Sequence, residues 1–152
     1  MKRIVLSLLV LLCVGTLSAQ TETDRMKVVV YNDGTLAGRY VRQTATHYIA
    51  NPLDWEEQVP KKKGRIEIWT PEKGKGFVVR RDGVTGNLNV RKGPSTRTAV
   101  VATITEEDSN KDYPDCAFDC LGKQNGWYKI KIKGTVGWVR QDLVLWAAYY
   151  AD

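Results

Sequence analysis

Histidine is almost absent from this chain. His47 is the only one in 152 residues, and of the three cysteines Cys13 lies near the N-terminus, apart from Cys116 and Cys120. Thiol catalysis needs a thiolate with an imidazole or similar base beside it. Cys116 and Cys120 fall on an expected strand, not at the start of a helix where a catalytic thiol is usually activated. No catalytic residue is therefore expected, and the chain is not expected to be an enzyme. A zinc site would need three or four His, Cys or carboxylate ligands at workable spacings, and no such set exists. Asp112, Asp115 and Asp119 lack the Gly turn and closing Glu of a calcium loop. Gly74-Lys75-Gly76 precedes a strand rather than a helix, so it is no phosphate cradle. The expectation is no metal and no cofactor, with His47 a surface or packing residue.

Long apolar runs are also scarce. One occurs, Ile4 to Val14, broken by Ser7 and preceded by Lys2 and Arg3. It is shorter than the ~20 residues a membrane-spanning helix needs, and a polar stretch follows it. Residues 1–19 read as a secretory signal peptide with cleavage near Ala19. Leu12 before Cys13 fits poorly with lipoprotein processing. No transmembrane segment is expected after cleavage, and the mature protein is expected in the periplasm or cell envelope. Removing Lys2 and Arg3 lowers the formal charge from +6 to +4, with 21 basic residues against 17 acidic. That is mild, and export argues against nucleic acid as a partner. Lys61-Lys62-Lys63 and Glu106-Glu107-Asp108, the two charge clusters, are expected as solvated loops.

No segment keeps a 3.6-residue period. Val28–Tyr31 and Leu36–Val41 flank Asn32-Asp33-Gly34, a hairpin signal. Ile66–Trp69, Phe77–Val79, Ala99–Ile104, Trp127–Ile132 and Thr135–Val139 read as further strands. Only residues 45–59 are ambiguous, with room for one helical turn. A faint echo, Asp33-Gly34 then Val41-Arg42 against Asp82-Gly83 then Val90-Arg91, is short enough to be coincidence rather than a repeat.

The stretch Leu88-Asn89-Val90-Arg91-Lys92-Gly93-Pro94-Ser95 carries more information. Leu88 and Val90 alternate with Asn89 and Arg91, and Gly93-Pro94 ends the strand in a structured loop. Further on come Gly126-Trp127-Tyr128-Lys129-Ile130 and Gly137-Trp138-Val139, followed by Asp142-Leu143. In this order the motifs resemble the bacterial SH3 domain family over residues 76–146. The resemblance implies an all-β fold: a small, partly open SH3-like barrel, with residues 20–75 a β-rich N-terminal extension and 147–152 a C-terminal tail. Leu88, Val90, Val101, Ile104, Phe118, Ile130, Ile132 and Val139 are expected inside the barrel. Residues 26–70 are expected to add strands to it, because ~45 residues rarely bury enough apolar area to stand alone.

Such modules usually recognise rather than catalyse, and in exported bacterial proteins they commonly bind peptidoglycan peptides. The resemblance thus implies a non-catalytic module for cell-wall peptides. The alternative is a periplasmic adaptor for another protein, docked through residues 21–75. Asn89, Arg91, Thr96, Trp127 and Tyr128 are the expected ligand-binding residues, lining or rimming one groove. Trp127 is out of phase with Ile130 and Ile132, so it faces either a ligand or the underside of the 93–96 loop. Trp138 is expected to be structural, and Trp55, Trp69 and Trp146 to seal the flanking segments.

Export favours a Cys116–Cys120 disulfide. Strand geometry opposes it: residues four apart in a strand are separated by ~13 Å, whereas a bridge needs Cα atoms within ~7 Å. The strand is the favoured reading, with Cys120 buried.

Overall fold

A three-residue turn decides how the first half of the chain folds. The structure, a computed structural model, describes residues 24–148; the expected signal peptide lies outside the described residues. β1 (Met26–Tyr31), β2 (Leu36–Gln43), β3 (His47–Asn51) and β4 (Glu57–Pro60) run as an antiparallel meander. β5 (Gly64–Trp69) follows only three residues later, yet pairs with β1 at the far edge, in the order β4-β3-β2-β1-β5. A turn closed by Lys63 N–H donating to the Pro60 carbonyl at 2.8 Å can bridge the two edges only if the sheet curls round. Val29, Ala37, Ala50 and Val59 fill the inside of the curl, with Tyr31, Tyr40 and Tyr48 packed against them. Tyr31 donates to Glu57 at 2.5 Å, and this bond is the main reason its phenol titrates above the ordinary range.

The second half repeats that plan with an insertion. β6 (Phe77–Arg80), β9 (Ala117–Gln124), β10 (Trp127–Ile132) and β11 (Thr135–Arg140) pair in sequence. A 3-10 turn, Gln141–Leu143, then leads to β12 (Val144–Ala147), which pairs with β6 at the other edge. The hairpin of β7 (Leu88–Arg91) and β8 (Val100–Ile104) is inserted between β6 and β9 and extends the sheet beyond β11. The order is β12-β6-β9-β10-β11-β7-β8. Read from its last strand, and with the inserted hairpin set aside, each sheet therefore runs last, first, second, third, fourth. Neither sheet closes into a barrel among the described residues.

The all-β expectation holds. Contacts divide the chain into two compact units, residues 25–70 and Asp24 with residues 71–147. The expectation that the strands of 26–70 add to the other sheet is corrected: they form a sheet of their own. Residues 45–59, where a helical turn had room, hold β3 and β4 instead, as the partner edge of β2 requires.

Leu88, Val90, Ile104, Phe118, Ile130, Ile132 and Val139 are buried as expected. Val101 is a correction, at 39% exposed. The β7–β8 register slips between Val90 and Arg91, so that Val90 faces Ala102 and Arg91 faces Val100. Val101 is the extra residue of this bulge on an edge strand. The cysteine segment folds as a strand: Cys116 precedes β9, Cys120 is buried within it, and both are free. Burial pushes the Cys120 thiol up to about 11, the opposite of an activated nucleophile.

The acidic cluster is also corrected. Glu106–Ser109 forms a single helical turn, α1, opened by a capping box between Thr105 and Asp108. Asp108 is buried, accepting from Thr105 N–H at 3.0 Å, Lys133 Nζ at 2.8 Å and Lys111 Nζ at 3.3 Å. Glu106 accepts from the Gly86 N–H at 2.7 Å. Asp108 thus ties loops together from a buried position, while Glu106 and Glu107 remain exposed as expected.

Candidate functional site

The loop after β7 is built from its own hydrogen bonds. Gly93 N–H donates to Thr98 Oγ1 at 3.1 Å, and the Thr98 hydroxyl lies 3.0 and 2.8 Å from the carbonyls of Gly93 and Ser95. Lys92 N–H donates to the Ala99 carbonyl at 2.8 Å, completing the neck. Arg91, expected to meet a ligand, instead donates through Nη1 to the Thr98 carbonyl at 2.8 Å. Thr96 is exposed at the loop tip and Asn89 is exposed on β7.

The two aromatics of β10 are both buried. Tyr128, Ile130 and Ile132 alternate on one face and are fully or almost fully buried. Tyr128 is 0% exposed, and its hydroxyl donates to Asp24 Oδ2 at 2.6 Å. Asp24 also accepts from Lys123 Nζ at 2.7 Å, so a buried carboxylate is held by an ammonium and a phenol together. Trp127 points to the other face yet is only 8% exposed, so it does not line an open groove. The expected five-residue groove is therefore corrected. Asn89 and Arg91 share a face of β7, Thr96 sits apart on the loop, and Tyr128 belongs to the core.

Tyr128→Phe keeps the ring but removes the donor to Asp24. Hydrogen bonds to charged groups contribute roughly 1.5–3 kcal/mol, so a loss of about 2 kcal/mol in urea denaturation is expected. A loss below ~0.5 kcal/mol would mean that the phenol does little for the buried carboxylate.

What β10, β11 and β7 do present is a different surface. Lys129 pairs with Trp138, and Trp138 pairs with Arg91, so the three lie on one rung across three strands. Trp138 is half-buried, with Lys129 Nζ 5.9 Å from its ring centroid. Val136, two residues before Trp138 on the same face of β11, is 47% exposed, and Lys131 beside it is exposed. The result is an aromatic and apolar strip edged by cations.

Trp138, expected to be structural, is half-buried on this face. The signal that would have found this face is the alternation Val136, Trp138, Arg140 against Lys129, Lys131. Gly137 explains the motif's glycine. A Cβ there would lie 2.6 Å from Val90 Cγ1 and 2.9 Å from the Arg91 carbonyl oxygen, so only glycine lets β7 approach β11 this closely.

In residues 25–70, Trp55 was expected to seal a segment but is 51% exposed, beside Leu53 at 43% in the β3–β4 loop. Trp146 does seal: it is buried, and its indole donates to the Lys75 carbonyl at 2.8 Å. Among the described residues, no group of three or more His, Cys, Asp or Glu is placed to hold a metal ion, and no helix is long and apolar enough to cross a membrane. Comparison of the chain with protein-family models, with curated proteins and with solved structures gave no match.

Proposed function

We propose that residues 76–146 are a bacterial SH3-like recognition module in an exported protein, and that it binds cell-wall peptides without catalysis. The observation that carries this reading is the Lys129–Trp138–Arg91 rung. An indole flanked by cations suits an extended peptide that bears carboxylates, as wall peptides do. The ring supplies desolvated contact area, while Lys129 and Lys131 steer the acid groups. The strand order β12-β6-β9-β10-β11 supports the module assignment, because it sets the strands that carry this face side by side in one sheet.

One observation favours the second reading, a periplasmic adaptor. Leu53 and Trp55 stand out in the β3–β4 loop, and Val41 on β2 is 42% exposed. Apolar side chains displayed in this way suit a protein partner.

Co-sedimentation with purified sacculi tests both. The protein is expected to pellet with sacculi, and Trp138→Ala to lower retention about tenfold, the effect of removing a central aromatic anchor. Retention of the variant at the wild-type level would remove the face from the proposal. A wild-type protein left wholly in the supernatant would overturn wall binding and leave the adaptor.

A further inference from the structure

Beside α1 lies a cleft of about 490 Å³, between the 111–119 segment and the β10–β11 turn. Its volume falls within the ~300–1,000 Å³ of small-ligand sites. Phe118, Pro114 and Ala117 supply apolar lining. Its charges fall into two sets. Asp108 is buried and already pairs with Lys111 and Lys133. Lys131, Asp115 and Asp119 also line the cleft and are exposed, and none of them forms an ion pair among the described residues.

We propose that this cleft binds the end of a short peptide, or a similar small zwitterion, that carries both a carboxylate and an ammonium group. Lys131 takes the carboxylate, with Lys133 beside it. Asp115 and Asp119 take the ammonium. The apolar lining accepts a small side chain between them. The Lys133–Asp108 and Lys111–Asp108 pairs fix the wall of the cleft, so that its cationic side is set before a ligand arrives. A singly charged anion would leave the two aspartates opposed to it, and a cation would meet Lys131. The arrangement therefore selects for both charges in one molecule. The cleft adjoins the Trp138 face and shares Lys131 with it, but its other lining residues lie outside that face, and the inference does not rest on wall binding.

The probe is trialanine, about 10 Å long when extended, titrated into the full mature chain and followed by amide chemical shifts. At an exposed cleft a millimolar Kd is expected, with shifts concentrated at residues 111–119 and 131–134. N-acetyl-trialanine and trialanine amide each lose one charge and should each bind about fivefold more weakly, the effect of one partly exposed ion pair. Lys131→Gln should abolish the difference between trialanine and its amide, and Asp115→Asn with Asp119→Asn the difference between trialanine and its acetylated form. All of these side chains are exposed, so the variants keep the fold. Trp138→Ala should leave the titration unchanged, which separates this site from the recognition face. Absence of shifts at ~10 mM trialanine, or equal binding by all three probes, would overturn the proposal.

Discussion

Gly137→Ala is expected to destabilise residues 71–147 by about 3 kcal/mol, the upper range for overpacking a closed site. The melting temperature of this unit should fall by about 15 °C. The added methyl would lie 2.6 Å from Val90 Cγ1, 2.9 Å from the Arg91 carbonyl oxygen and 3.0 Å from Val101 Cγ2. A flexible side chain could move aside, but a backbone carbonyl and a fully buried valine cannot. Relief requires β7 to draw away from β11, and only Trp138↔Arg91 pairs those two strands. The β7–β8 hairpin would then lose its hold on the sheet. Gly122→Ala is the control. That glycine also sits within a strand, but its nearest neighbour would be Lys129 Cβ at 3.8 Å, an ordinary contact. Removing a strand glycine there should be neutral or stabilise by up to ~0.5 kcal/mol. Equal melting temperatures for the two variants would mean that β7 and β11 do not approach as described.

Much of the fold could be read from alternation alone. Strand Trp127–Ile132 has the limits its sequence implies, and Leu88, Val90, Ile104, Ile130, Ile132 and Val139 are inside because period two places them there. Val101 was misread because a register slip is a property of two strands, and one strand's pattern does not contain it. The shared strand order of the two sheets was equally hidden. Asp33-Gly34 and Asp82-Gly83 each follow the first strand of a sheet, so half of the faint echo has a structural counterpart. Val41-Arg42 lies on the second strand of its sheet, however, while Val90-Arg91 lies on the inserted hairpin.

The candidate site was less legible, and for one physical reason. Whether a polar or aromatic residue is available depends on partners far away in the chain. Tyr128 looks like a rim residue until Asp24, 104 positions earlier, takes its hydroxyl. Arg91 looks wholly free for a ligand until the Thr98 carbonyl takes one of its guanidinium donors. Trp55 looks like a sealing residue, but no pattern in Leu53-Asp54-Trp55 says which way the loop turns. Trp138 and Lys129 become a surface only once β10 and β11 are paired.

Asp108 gives the second large effect, and pH tests its charge directly. Burial by itself would raise its carboxyl. Hydrogen bonds from Lys133, Thr105 and Lys111 outweigh that and hold it well below the usual carboxylate range. In the unfolded chain it titrates near the ordinary ~3.9. A carboxyl depressed by folding stabilises the native state above its unfolded pKa, and that stability drains away as pH falls toward the lower native value. Asp108→Asn keeps the shape and one acceptor but loses the charge. At about pH 7 it should cost about 2 kcal/mol, the sum of a weakened capping box and charge-assisted bonds to two lysines. The cost stays moderate because Lys133 and Lys111 are 55% and 46% exposed and can return to water. As pH falls below ~4 the wild type loses this advantage while the variant does not, so the gap between their denaturation midpoints should narrow steadily and still be closing at about pH 2. Midpoints that stay equally far apart across that range would mean that the amide fails for shape, and that the buried charge contributes nothing.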